Sequence, residues 1–500
     1  MERSKEHEVT WSKEARGSDF LQLDIEEAPP GGRSRWLAGH LRRAMADGRL
    51  PVGSRLPATR ALAGELRVSR GVVTEAYRRL IEEGHAAGHR RNGTVVVAVP
   101  VPAPAAGTGI AGGAGDPAPA ARPFDGVPDH ASFDALRAAP ARIDLSPGLP
   151  DLAAFPRTAW LRTERALLSR LSAADLGYGD PRGTPALRGA VATWLARNRG
   201  ITVTPDEVLI VAGTAQTLSL LGQSLYRSGV QGVAVEEPSS LGARQHLRHC
   251  GLATPPVAVD EEGLRVAELA ESGAGAVLLT PAHQFPTGVV LSGERRRELT
   301  RWARQRDGLV IEDDYDAEHR YDRPPVAALR SMLSEHVCYA GSVSKILSPG
   351  MRIGWVVAPP RYREALVDAK RFADLGNAVL PQLVLARLMA SGELERHLRL
   401  VRQRHRRRRD AMIAALAAHL PEAVVHGAAA GLHLTVTLPP GLDDTELAEL
   451  ALARGVRTQP LSWHRQRPGA PGLVLGYAAS TPHAVEEGVA SIGSALRALR

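Results

Sequence analysis

Between residues 98 and 142 the chain carries 28 Pro, Ala or Gly among 45 residues. Such a stretch has too little large apolar surface to offset the entropy of ordering it, so it cannot build a core of its own. Whatever folds must fold on either side of it. The chain therefore divides into an N-terminal tail over 1–32, a compact segment over 33–97, a flexible tether over 98–142 and a large segment over 143–500. Within the tether only Phe133–Ala139 has the pattern of a short helix.

The compact segment is the basic one. From Arg33 to Arg91 there are thirteen Arg against five acidic residues, an excess equal to the +8 net charge of the whole chain. Positive charge concentrated in this way suits a polyanionic partner. Trp36, Leu37, His40, Leu41, Ala44 and Met45 recur at helical spacing until Asp47-Gly48 stops the helix. Leu56-Pro57-Ala58-Thr59-Arg60 opens a second helix that runs through Leu62, Ala63 and Leu66. Val68-Ser69-Arg70 is a tight turn with Ser69 as N-cap, and Val72, Val73, Ala76, Tyr77, Leu80 and Ile81 line a third helix closed by Gly84. His85–Val97, with Asn92-Gly93 at its tip, reads as a β-hairpin. Two helices across a short turn and a hairpin make a winged helix-turn-helix of α+β type. The competing reading is a three-helix interaction module whose arginines are merely solvated.

Leu56-Pro57-x-x-Arg60-x-Leu62-Ala63 with Val68-Ser69-Arg70-x-x-Val73-x-x-Ala76-Tyr77-x-x-Leu80-x-x-x-Gly84 resembles the DNA-binding domain of the GntR regulators. The resemblance implies that Arg60, Ser69, Arg70 and Thr74 face double-stranded operator DNA, that Gly93 and Thr94 enter or skirt the minor groove, and that Arg42 or Arg43 touches phosphate. Phosphate contacts would hold register while arginine on base edges would carry specificity.

The large segment sets one lysine amid hydroxyls and glycines, Gly341-Ser342-Val343-Ser344-Lys345, with Arg352 seven residues further on. The preceding run Val337–Gly341 reads as the end of a buried strand. Burial lowers a lysine's pKa and makes its amine a nucleophile toward aldehydes. The hydroxyls of Ser342 and Ser344 and the guanidinium of Arg352 suit a phosphate. Aldehyde and phosphate together point to pyridoxal 5'-phosphate. A second strand, Leu309-Val310-Ile311, ends in Glu312-Asp313-Asp314-Tyr315-Asp316, so carboxylates stand at a strand's C-terminal edge, where open α/β sheets bind ligands. Asp313 can oppose a pyridinium nitrogen and Tyr315 a phenolic oxygen. Upstream, the strand Val208–Val211 passes through Ala212-Gly213-Thr214 into a helix whose free N–H groups suit phosphate, a weak signal taken alone.

Glu312-Asp313-Asp314-Tyr315-Asp316 followed by Ser342-x-Ser344-Lys345-x6-Arg352-x-Gly354 resembles the fold type I aminotransferase core of MocR-type members of the GntR regulators. Ile143–Asp151 and Leu176–Gly183 extend the resemblance. It implies an α/β large domain with a small α/β C-terminal domain, and pyridoxal phosphate on Lys345 as a Schiff base. It also implies Gly213, Thr214, Asp313, Tyr315, Ser342, Ser344 and Arg352 around the cofactor, and a homodimer. Tyr178 either reaches the partner subunit's cofactor or packs locally as a loop tyrosine. Three positions depart from the pattern. Ser240 stands where members often carry an aromatic, Phe285 where amino-transferring relatives usually carry asparagine, and Val474 where aminotransferases typically hold an arginine for the substrate's carboxylate. His283 and Gln284 are the polar neighbours available beside Phe285.

The expectation is a pyridoxal-phosphate-dependent, DNA-binding transcriptional regulator that senses the cofactor or a small amino compound through a Lys345 aldimine. The alternative is a functional aminotransferase with a DNA-binding appendage, against which Ser240, Phe285 and Val474 count. Cys250 and Cys338 give neither a disulfide framework nor metal-ligand spacing, and Met1–Asp19 lacks an apolar signal core. No run approaches the roughly eighteen apolar residues of a membrane span, so a cytoplasmic protein without metal or membrane is expected. Arg402–Arg409 reads as the solvated basic face of a long helix, not as a second DNA site.

Overall fold

The computed structural model describes residues 25, 28–29, 31–89, 93–98, 123–321 and 326–500, in two units that divide between Asp116 and Pro117. The tail to residue 24 and residues 99–122 of the expected tether lie outside the described residues.

In the first unit the helices Arg33–Ala46, Thr59–Glu65 and Arg70–Glu82 close on one core. Leu37, Leu41, Met45, Leu62, Val73 and Leu80 are fully buried in it. Their spacing of three or four residues gives each helix one apolar stripe, and each such side chain contributes about 1.5–3 kcal/mol on burial. Ser69 occupies the N-cap position with extended backbone, but its side chain makes no capping hydrogen bond. Strands Ala86–His89 and Gly93–Val96 pair antiparallel with His89 opposite Gly93, which puts Gly93 at the loop end of the hairpin; Asn92 lies outside the described residues. Val95 bridges back to Arg55, and the Tyr77 hydroxyl donates to the Pro57 carbonyl at 2.8 Å. These links seat the hairpin and the second helix on the third, which gives a winged helix-turn-helix.

The second unit is built on an eight-stranded sheet in the order Val208–Val211, Gly354–Val357, Val337–Ser342, Leu309–Asp314, Ala276–Leu279, Val233–Glu237, Pro256–Asp260, Gly263–Leu264. Gly354–Val357 runs antiparallel to both neighbours, Gly263–Leu264 is antiparallel at the edge, and the other pairings are parallel. The central strands are covered on both faces, which is why they read as continuous apolar runs without alternation. Ile311 packs with the helices Thr214–Arg227 and Pro360–Asp374, while its neighbour Val310 packs on the opposite face with Gly293–Arg306.

A four-stranded antiparallel sheet, in the order Val424–His426, His433–Thr437, Gly472–Gly476, Gln459–Pro460, forms the small C-terminal domain. The 27-residue helix Glu393–His419 joins it to the large domain, burying Leu394 and Leu398 in one core and Met412, Ala415 and Leu416 in another. The arginine run on this helix is solvated only at Arg406 and Arg407. Arg404 and Arg408 both pair with Asp151, at 2.9 and 3.0 Å, Arg402 donates to the Glu318 carbonyl, and Arg409 lies 4.9 Å over the Tyr321 ring. Arg408 and Arg409 are buried because they tie the long helix to loops of both domains.

The end of the expected tether is also different. Asp129 caps the helix His130–Ala138, and Ser132 returns the bond. Phe124 and Phe133 pack on Trp463 with ring centroids 5.6 and 5.4 Å away, and Leu136 is buried in the same cluster. Residues 123–142 therefore fold with the second unit, since these three side chains supply the apolar surface that the Ala, Gly and Pro around them lack. Ile143–Asp144 then pairs with Val456–Arg457. Among the described residues no helix is long and apolar enough to cross a membrane.

Candidate functional site

Three segments meet at the C-terminal edge of the sheet. Ser342, at the end of its strand, lies opposite Gly354, and a Cβ on Gly354 would come within 3.0 Å of the Gly213 Cα. Gly213 has φ +83°, a conformation L side chains rarely adopt, and the helix Thr214–Arg227 starts directly after it. First-turn N–H groups of that helix have no partner within the helix. Arg352 stands beside the turn: its guanidinium donates to the Ala212 carbonyl and would lie 3.5 Å from a Cβ on Gly213. The Ser344 amide lies 3.4 Å from the Ser342 hydroxyl. Gly213, Thr214, Ser342 and Arg352 thus lie at one helix N-terminus, with the positive field that an anion requires, and Ser344 adjoins Ser342.

Lys345 follows this turn. Its Nζ donates to the Gly148 carbonyl at 2.5 Å, its one hydrogen-bond acceptor among the described residues. Burial lowers its pKa, opposed by the nearby carboxylates of Asp316 and Asp313.

Asp313 receives a hydrogen bond from the Thr214 hydroxyl at 3.3 Å. Burial, then the charge of Asp314, pushes its carboxyl up to about 7, against the pull of Thr214 and Lys345. A cation placed against Asp313 would restore its ionised form, and a pyridinium nitrogen is such a cation. The residues present therefore fit pyridoxal phosphate. The Tyr315 hydroxyl lies 3.0 Å from Nδ1 of His283, and the same nitrogen is 2.8 Å from Asp316. Burial pushes Asp316 upward, but His283, His433 and His319 together hold its carboxyl below the usual range.

Several of these neighbours were not singled out by sequence. Gly148, with φ +79°, brings a carbonyl to Lys345. His319 Nε2 holds the Lys345 carbonyl at 3.0 Å, and His397 Nε2 holds the next one, Ile346, at 2.9 Å. His405 is fully buried with neither ring nitrogen partnered among the described residues, its ring 5.1 Å from that of His319. Burial drives His319 down to about 4 and His405 well below the ordinary imidazole value, so both are neutral. Only the spacing of His397 and His405, eight residues apart and so on one helix face, hinted at this cluster.

The three departing positions have definite surroundings. The Ser240 side chain accepts from the Ala243 amide and caps the helix Leu241–His249. The Phe285 ring lies 5.0 Å from both His433 and His464 and 6.2 Å from Tyr315. Val474 is fully buried, paired with Thr435 on one side and Gln459 on the other. The Thr435 hydroxyl and His433 Nε2 are both spent on the Pro286 carbonyl, at 2.6 and 3.1 Å. Burial holds His433 at about 4 and His464 at about 3, so this wall carries uncharged imidazoles. Tyr178 is 96% exposed and does not pack locally within the chain.

In the first unit Arg60, Ser69, Arg70, Thr74 and Gly93 are exposed and Thr94 is half-buried. Arg70 donates to the Thr59 hydroxyl at 3.3 Å, joining the starts of the second and third helices. Arg42 is paired with Glu83 at 2.6 Å, whereas Arg43 is exposed.

A profile described as "Aminotransferase class I and II" matches residues 142–492, and one described as "Bacterial regulatory proteins, gntR family" matches 34–96. The probable rhizopine catabolism regulatory protein MocR of Rhizobium meliloti is 32% identical over 486 residues, covering 96% of both chains. The HTH-type pyridoxine biosynthesis transcriptional regulator PdxR of Corynebacterium glutamicum is 30% identical over 460 residues, covering 91% of this chain and 94% of its own. Among solved structures, LysN, an α-aminoadipate aminotransferase from Thermus thermophilus, superposes with a TM-score of 0.67 at 30% identity, covering 73% of this chain and 94% of its own. A gntR-type head on an aminotransferase-type body defines a transcriptional regulator of the pyridoxal-phosphate-dependent class, one that binds DNA. Within that class the chain belongs to the MocR-type members of the GntR regulators.

Proposed function

We propose that the body carries pyridoxal 5'-phosphate on Lys345 and that its ligand state sets how tightly the winged helix-turn-helix holds operator DNA. The observation that carries this reading is the buried Lys345 amine, with Gly148 O as its one acceptor, beside an Asp313 carboxyl raised to about 7. Gly213 and Thr214 at the helix N-terminus, with Ser342, Ser344 and Arg352, would take the phosphate. Asp313 would face the ring nitrogen, and Tyr315, oriented by His283, the phenolic oxygen. When bound, the cofactor supplies an aldehyde for amines and a ring that withdraws electrons. Arg60, Ser69, Arg70, Thr74, Gly93 and Thr94 form the DNA-facing surface, exposed or half-buried as that role requires.

A ligand changes DNA affinity only by binding the protein's conformations unequally. Two effectors fit: pyridoxal phosphate itself, supported by likeness to a regulator named for pyridoxine biosynthesis, and a small amino compound, supported by likeness to one named for rhizopine catabolism. Val474 and Phe285, with neutral His433 and His464 behind them, favour the cofactor itself, since this wall offers no ready clamp for an amino acid's carboxylate. The same residues count against efficient amino transfer, although Lys345, Asp313 and Tyr315 would serve it. The body is proposed to form homodimers, and its exposed Tyr178 and Phe372, 96% and 87% accessible, are apolar surface that a second copy would cover.

Titrating the cofactor-free protein with pyridoxal phosphate, on an operator fragment selected from random duplexes, tests the reading. The expected result is a shift in operator affinity together with absorbance of a lysine-bound cofactor. Cofactor uptake with unchanged operator affinity would remove the cofactor-sensor version. Rapid turnover of a keto-acid acceptor, lost in Lys345→Ala while DNA binding persists, would install the aminotransferase reading.

A further inference from the structure

We infer that residues 124–139 are an anchor through which the ligand state of the Lys345 site is passed to the chain leading to the DNA-binding unit, an inference that rests on the regulatory reading above. Two short segments, Ser239–Leu241 and Trp463–His464, are joined edge to edge: the Ser239 amide donates to the His464 carbonyl at 2.8 Å, and Arg244 Nη2 donates to the Trp463 carbonyl at 2.7 Å. In the second segment consecutive residues serve opposite sides. His464 packs against Phe285, which itself packs against Tyr315, whereas Trp463 receives Phe124 and Phe133. The Ser240 side chain caps the helix Leu241–His249, and Leu241 is buried with Leu136 and Trp463. Phe285, His464 and Trp463 thus form one run of packed rings between Tyr315 and the anchor.

The anchor is held otherwise by few ties. Its helix His130–Ala138 is capped by Asp129 and Ser132, its end is fixed by Arg457 donating to the Ala139 carbonyl, and Phe124 and Phe133 remain partly buried. A close-packed wall cannot absorb a displaced ring by compressing, so a ligand that moves Phe285 and His464 must move Trp463 or loosen what lies on it. Phe124 also touches the core of the small domain, but an element held by a handful of side chains opens more readily than the sheet behind it.

Hydrogen exchange on the full chain, with and without pyridoxal phosphate, reads the anchor directly. The expected result is a severalfold change in exchange of the amides in residues 133–139 on cofactor uptake. Uptake with unchanged exchange there overturns the inference. In the double variant Phe124→Ala/Phe133→Ala, cofactor uptake and cofactor-free operator affinity should stay within about twofold of wild type, while the cofactor-induced change in operator affinity shrinks toward one. A response equal to wild type in that variant also overturns the inference. Phe133→Leu, which keeps apolar bulk, should restore the response and so separates lost coupling from lost folding. If exchange changes at 133–139 but wild-type operator affinity does not, the link from ligand site to anchor stands and the regulatory reading is what fails.

Discussion

The Thr214 hydroxyl donates to Oδ1 of Asp313 at 3.3 Å, so the residue that opens a helix N-terminus also steadies the carboxylate at the end of the acidic strand. The two halves of the proposed cofactor site, phosphate end and ring end, are mechanically one. Thr214→Val keeps the shape and removes the donor. It should weaken pyridoxal phosphate binding by about 1–3 kcal/mol, roughly 5- to 150-fold, while Thr214→Ser binds nearly as wild type. An absorbance titration decides this, and equal affinities for Val and Thr would exclude the role.

Lys345→Ala should abolish labelling of the chain by pyridoxal phosphate and borohydride, because Lys345 is the amine whose charge acts on Asp313 among the described residues. Its operator affinity without ligand should equal that of wild type, since the lysine lies in the second unit. Mapping the reduced lysine by mass spectrometry checks the first point, and label persisting elsewhere at full stoichiometry would displace Lys345 from its role.

His405 is buried with neither ring nitrogen partnered among the described residues, and an unsatisfied buried polar group costs about 1–3 kcal/mol. His405→Phe should therefore stabilise the second unit by about 1–2 kcal/mol at neutral pH. Burial depresses the folded imidazole well below 6.5, whereas the unfolded chain takes up a proton there. Wild type thus loses stability as pH falls through 6.5, and the phenylalanine variant lacks that loss. Its advantage should widen between pH 7 and pH 5.5, as read from unfolding midpoints, and a variant less stable than wild type at both would refute the account.

Arg60 and Arg70 are exposed at the starts of the second and third helices, so alanine at either should leave the fold intact. If Arg60 reads a base edge, Arg60→Ala costs about 1–3 kcal/mol at one operator position and relaxes preference there. If it meets phosphate, the loss is uniform across sequences and the salt dependence falls by about one charge. Unchanged affinity and salt dependence in both variants would move the DNA-binding surface elsewhere.

How far the sequence could be read follows from where the information lies. Leu37, Leu62 and Val73 announce their helices because local periodicity and core burial coincide. The strands Leu309–Asp314 and Val337–Ser342, and the residues at their ends, were legible because a fully buried parallel strand is an unbroken apolar run. Arg408 and Arg409 were misread because their partners, Asp151 and Tyr321, lie far away in the chain, and nothing local separates a buried arginine from a solvated one. Phe124 and Phe133 were absorbed into the tether for the same reason, as Trp463 is more than three hundred residues downstream. His319 and His397 grip backbone carbonyls, contacts that leave no pattern in the sequence.

The pairing of Ile143–Asp144 with Val456–Arg457 also sets an order of events at the ribosome. Arg457 and Asp144, which meet at 2.5 Å, are separated by 313 residues, so synthesis continues for on the order of tens of seconds before the first strand of the body can find its partner. The DNA-binding unit, complete by residue 96 and with contacts of short sequence separation, has emerged and can close its own core long before then. During that interval each nascent chain presents a folded head on an unfinished body. Under the proposed regulation, a head that met its operator in that interval would do so before the ligand site exists.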